Sequence, residues 1–124
     1  MKSLLTVLSV MLLASMLSAQ TPAQAPSAGE TPRGNAENGK KIFASHGCYE
    51  CHNYAANGGG AGPRLAPRPI SWSAFIGEVR KPRDEMPPYT PKMITDQELA
   101  DIYAYLRSIP DPPAVQSIPL LNNP

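Results

Sequence analysis

The chain has 124 residues with 11 basic and 10 acidic side chains, 15 prolines, 9 glycines and 2 cysteines, which accommodates one small domain and excludes a two-domain enzyme. Removal of residues 1–19, argued next, takes away Lys2 and no acid, so ten basic groups face ten acidic ones, a balance that argues against a nucleic-acid binder. Two cysteines are too few for a disulfide mesh, a four-thiolate iron–sulfur cluster or a full zinc site, so any cofactor must be held with two.

Lys2 precedes an apolar run from Leu4 to Leu17 that ends in Ser18-Ala19-Gln20, the layout of a secretory signal peptide cleaved after Ala19. As a retained helix, residues 3–19 would span only about 25 Å, short of the roughly 30 Å hydrocarbon core, so no membrane span is expected after cleavage. Residues 20–35 are rich in Thr, Pro, Ala, Gln and Ser without apolar periodicity and read as a flexible leader. Residues 36–110 form the domain, and residues 111–124 form a proline-rich tail that is extended or disordered.

Three helical patterns lie within the domain, with no period-2 strand, so the expected class is all-α. Asn35 caps a first helix running through Ser45, with Gly39, Ile42 and Phe43 on one face. Ser71 caps a second, Trp72 to Arg80, which presents Trp72, Phe75, Ile76 and Val79 before Pro82 stops it. Thr95-x-x-Glu98 is a capping box that opens a third, whose apolar face is Leu99, Ile102, Tyr103, Tyr105 and Leu106, and Pro110 ends it. A glycine-rich loop joins the first two. So few apolar residues make a thin core, the regime in which a domain needs a staple, a metal or a bulky cofactor.

Cys48-Tyr49-Glu50-Cys51-His52 has the C-x-x-C-H spacing of covalent c-type haem attachment. Each thiol adds to one porphyrin vinyl, and the adjacent His52 is carried beneath the macrocycle as an iron ligand. A redox dithiol would want a βαβ surrounding, and a zinc site would need ligands from a chain whose only other histidine is His46. A structural disulfide would explain neither His52 nor the thin core.

With Gly39-Lys40-Lys41-Ile42-Phe43, Cys48 to His52, Gly62-Pro63-Arg64-Leu65, Met86-Pro87-Pro88-Tyr89 and Ala104-Tyr105-Leu106 in this order, the domain resembles the class I c-type cytochromes, small exported electron-transfer proteins. The resemblance implies the cytochrome c fold, one covalent haem c on Cys48 and Cys51, and terminal helices that cross with Gly39 and Phe43 against Ile102 and Tyr105. It implies Met86, a methionine followed by proline, as the sixth iron ligand beside His52; Met93 is expected to be a packing residue and His46 an exposed one. It also implies that the Pro63 carbonyl accepts the second ring N–H of His52 and that Leu65 lies against the porphyrin. Trp72 and Tyr89 reach a propionate or only bury their rings, and Tyr54 stays equally open.

Six basic residues against three acids between Arg64 and Lys92 offer a positive rim for docking or a solvated charged face. The expected function is one-electron transfer between redox proteins outside the cytoplasm, in the periplasm, with no substrate transformed. The alternative is a haem-carrying subunit of a larger dehydrogenase or oxidase, and the protein is accordingly a monomer or part of a redox complex. A five-coordinate enzyme or gas sensor would need Met86 unbound.

Overall fold

The structure is a computed structural model that describes residues 31–121. The expected signal peptide, residues 20–30 of the leader and residues 122–124 lie outside the described residues. Four α-helices follow in order: α1 Ala36–Ser45, α2 Cys48–His52, α3 Trp72–Arg80 and α4 Asp96–Ser108. Two single 3₁₀ turns, Val115–Ser117 and Pro119–Leu121, lie in the tail. No strand occurs among the described residues.

The caps read from the sequence set the helix starts. The Asn35 side chain accepts from the Asn38 amide at 3.0 Å, and Ser71 Oγ accepts from the Ala74 amide at 3.4 Å. At α4 both arms of the capping box are present: Glu98 N–H donates to Thr95 Oγ1 at 3.2 Å and Thr95 N–H donates to Glu98 Oε2 at 2.7 Å. Ile94 just before the cap and Leu99 one turn inside are each 1% exposed, the two ends of a hydrophobic staple.

α1 and α4 cross in contact. A Cβ on Gly39 would fall inside the Asp101 carbonyl, and one on Gly34 inside the Ala100 carbonyl, so two backbones meet where a side chain would hold them apart. The Phe43 and Tyr105 rings pack beside the crossing with centroids 5.6 Å apart. Buried Asp101 fastens the N-terminal end by accepting from Asn35 N–H at 2.8 Å, Asn38 Nδ2 at 2.7 Å and Gln97 Nε2 at 3.2 Å. The Arg33 carbonyl takes a further bond from Gln97, so Arg33 and Asn35, expected at the end of a flexible leader, are docked on α4.

α3 closes the other side through an aromatic group in which Tyr103 lies 5.4 Å from Phe75 and 5.6 Å from Trp72, centroid to centroid. The hydroxyls of α4 hold the long loop: Tyr103 donates to the Ile70 carbonyl at 2.9 Å and Tyr105 to the Tyr54 carbonyl at 2.8 Å. Within that loop the Ala56 carbonyl accepts from both Leu65 and Ala66 amides. In the tail, Val115, Leu120 and Leu121 are exposed.

Two expectations are corrected. Met93 is not a packing residue: it is 55% exposed, and its neighbour Ile94 fills the core instead. The turn at Thr90, whose carbonyl accepts from both the Met93 and Ile94 amides, rotates the chain so that Ile94 faces inward. His46 is half-buried rather than exposed, with Nε2 3.3 Å from the Met93 carbonyl and Nδ1 3.2 Å from the Ile42 carbonyl.

Candidate functional site

α2 is only five residues long and has no side-chain cap. Gly47, at φ 72°, reverses the chain after α1 in the left-handed region that glycine tolerates, and Asn53 ends the helix at φ 67°. The glycine-rich loop then turns back onto the helix. Gly62 N–H donates to the Cys51 carbonyl at 3.0 Å and Gly58 N–H to the His52 carbonyl at 3.1 Å, satisfying acceptors that a helix end leaves open.

That return fixes His52. The side chain is 7% exposed, and Nδ1 lies 2.8 Å from the Pro63 carbonyl oxygen. A carbonyl only accepts, so Nδ1 carries a proton, and in the neutral ring Nε2 keeps the lone pair with which imidazole binds a metal. Gly62 presses on the ring from the side: a Cβ there would sit 2.6 Å from His52 Cε1 and Nδ1.

His52 faces an apolar cavity of about 370 Å³, part of it open to solvent. Cys48 of α2 and Leu65 of the long loop share its wall, with Phe75 and Val79 from α3. The remaining wall is Phe43, Tyr89, Ile94 and two α4 residues, Leu99 and Ile102, and Met86 enters it from the loop after α3. His52 and Met86 are thus brought to one space, whereas Met93 is not among its lining residues.

Cys48 is half-buried and Cys51 exposed, both as free thiols. Burial pushes the Cys48 thiol up to about 11. A redox-active thiol needs the opposite shift, which Cys48 does not have. Among the described residues no three His, Cys, Asp or Glu side chains converge on a metal position, so a zinc-type centre is not built either. Two thiols three residues apart, one imidazole with its Nε2 lone pair free, a thioether and apolar walls form a donor set that fits a covalently attached haem.

Of the residues left open by the sequence, Tyr89 lines the cavity and donates to the His46 carbonyl at 3.1 Å, and burial raises its phenol pKa. Trp72 packs on Phe75 and Tyr103 and is not part of the wall. Tyr54 is 66% exposed and stacks on Tyr49 at 4.2 Å. Half of the expected positive rim is neutralised in place: Arg68 pairs with Asp111, Arg80 with Asp96 and Arg83 with Glu78. The apolar wall was visible in the sequence as the inward faces of the helices. The partners of Arg80 and His46 carried no local signal, because they lie 16 and 47 residues away.

No curated protein and no solved structure matches this chain. Residues 34–106, more than half of the chain, match the family model described as Cytochrome C oxidase, cbb3-type, subunit III. That domain carries covalently bound c-type haem and transfers electrons, and the spacing of Cys48 and Cys51 before His52 agrees with it. The chain belongs to this family and is a class I c-type cytochrome with an all-α cytochrome fold.

Proposed function

We propose that the protein is a one-electron carrier in which Cys48 and Cys51 would attach the haem and His52 and Met86 would hold its iron. The observation that carries this reading is that His52, Cys48 and Met86 line one apolar cavity while Met93 stays 55% exposed outside it. When bound, the haem iron supplies the one-electron couple. The Pro63 carbonyl holds the His52 ring in one orientation and makes its free nitrogen a better donor. Met86 would hold the remaining iron position, so that oxygen or peroxide would find no open coordination site and no substrate would be transformed. A thioether ligand also raises the potential relative to a second histidine. The apolar walls, Leu65 among them, would keep water from the group and reorganisation small.

The apolar N-terminal segment with Lys2 supports export, and the reading therefore places the protein in the periplasm, between a donor and an acceptor protein. A second reading, a subunit of a larger oxidase complex, is favoured by the match to a cbb3-type oxidase subunit III family. Size-exclusion of the native material separates the two: a free carrier elutes alone, a subunit with its partners.

The ligand assignment is tested on the ferric visible spectra of Met86→Ala and Met93→Ala. Met86→Ala loses the thioether-to-iron band and binds added cyanide readily, and Met93→Ala keeps the band. The reverse pattern exchanges the two methionines. Haem that stays with the polypeptide through denaturing electrophoresis supports attachment through the two cysteines, and haem that separates refutes it.

A further inference from the structure

Met86 is held by a loop without regular secondary structure, residues 81–89, whose proline positions 82, 87 and 88 have no amide hydrogen to give. Arg83, Asp84, Glu85, Pro87 and Pro88 are exposed around it. Besides the Tyr89 hydroxyl on the His46 carbonyl, what ties this loop down comes from the last turn of α3. Glu78 reaches forward to its start: Oε1 accepts from the Arg83 amide at 3.1 Å and Oε2 from Arg83 Nε at 2.9 Å. Arg80 reaches its end: one guanidinium nitrogen donates to the Tyr89 carbonyl at 2.7 Å and the other to Asp96 Oδ1 at 2.5 Å, at the first residue of α4. The Tyr89 amide donates to the Val79 carbonyl at 3.0 Å between them.

We infer that Glu78 and Arg80 are the two arms of a clamp that holds the Met86 loop shut on the cavity and so governs how tightly Met86 stays on the iron. This rests on Met86 being the sixth ligand. Arg80 is the stronger arm. Its side chain is 16% exposed, so its charge-assisted bond to the Tyr89 carbonyl is partly shielded from water, whereas its partner Asp96 is 66% exposed and both members of the Arg68–Asp111 pair are open, at 83% and 60%. The planar guanidinium serves the two acceptors from separate nitrogens in a fixed geometry, which the single nitrogen of an ammonium reproduces only in part. Neither arm touches the α1–α4 crossing, so loosening them frees the loop without dismantling the core.

The experiment uses the haem-loaded protein with Arg80→Met, Arg80→Lys, Glu78→Gln, Arg68→Met as a control, and Met86→Ala. Three signals are followed: the rate of cyanide binding to the ferric form, the temperatures at which the thioether-to-iron band and the helical circular dichroism are lost, and amide exchange at Tyr89. Arg80→Met is expected to bind cyanide about tenfold faster, matching the loss of a charge-assisted hydrogen bond. Its band should be lost well below the helix melt, and Tyr89 exchange should speed up. Arg80→Lys falls between it and the parent, Glu78→Gln shows a smaller change because an amide still accepts from Arg83 N–H, and Arg68→Met shows none. Unchanged cyanide rates in both Arg80 variants, or a band that is lost only together with the helices, overturns the clamp. If Met86→Ala keeps the band, the ligand reading fails instead, and Tyr89 exchange in Arg80→Met still reports whether the clamp holds the loop.

Discussion

At the scale of single residues, Gly62 shows how the absence of a side chain decides what a neighbour can do. Its backbone lies so close to His52 that an added methyl would sit 2.6 Å from the ring, nearer than any real contact. Gly62→Ala must move the ring or the loop, and either shift breaks the 2.8 Å bond from Nδ1 to the Pro63 carbonyl. The expected cost is about 1–3 kcal/mol, seen as displacement of His52 from the iron at lower denaturant concentration when the Soret band is followed; a parental midpoint would refute it. The positions of Cys48, Cys51 and His52 were legible because haem attachment fixes residue types at fixed spacing. Met93 was misread for a physical reason: Met93 and Ile94 are adjacent and both apolar, and only the rotation of the Thr90 turn decides which faces inward. His46 was illegible because its ring lies against the Met93 carbonyl, 47 residues away in the chain.

At the scale of elements, α1 and α3 were legible to the residue, and α4 at its capped start with its end at Ser108, just before the Pro110 stop, because each combines a capping side chain with an apolar stripe and a stop signal. α2 was not. Five residues make no stripe, and its carbonyls are satisfied by Gly58 and Gly62 from a distant turn of chain, which no local pattern announces. The α1–α4 crossing rests on Gly39, and Gly39→Ala, whose Cβ would overlap the Asp101 carbonyl, should destabilise the protein by about 3 kcal/mol or more, measured by thermal or urea unfolding. Asp101 tests the same contact through pH. Burial works against its charge, but donors from Asn35, Asn38 and Gln97 outweigh that and hold the carboxyl below its ordinary value of 3.8. A depressed folded pKa gives stability that is present above 3.8 and lost as pH falls through the folded value. Asp101→Asn should therefore cost about 1.5–3 kcal/mol near neutral pH, and the gap from the parent should close as the solution is acidified below 3.8. A constant gap across that range would show that the charge is not what binds the N-terminal end to α4.

At the scale of the whole molecule, the core is arranged around a space rather than around itself. Among the described residues Ile94, Leu99 and Leu106 are the largest side chains buried completely, and two of them, with Phe43, Phe75 and Ile102, line the cavity. Ordering a residue costs about 1–2 kcal/mol in backbone entropy alone, and a short-helix domain with long loops recovers little of that from helix propensity. Filling the cavity with a large apolar group linked to α2 would supply the missing burial and close the chain between α2 and the Met86 loop. The haem-free double variant Cys48→Ala, Cys51→Ala should accordingly be largely unfolded, with most of its helical circular dichroism lost and no cooperative transition in urea. Cys51→Ala alone keeps the thiol that faces the cavity, since Cys48 lines it and Cys51 is exposed, and should retain a less stable fold with haem on one thioether. A haem-free double variant that melts cooperatively with parental helix content would mean that the four helices close on each other without the cofactor, and the dependence of fold on haem would be wrong.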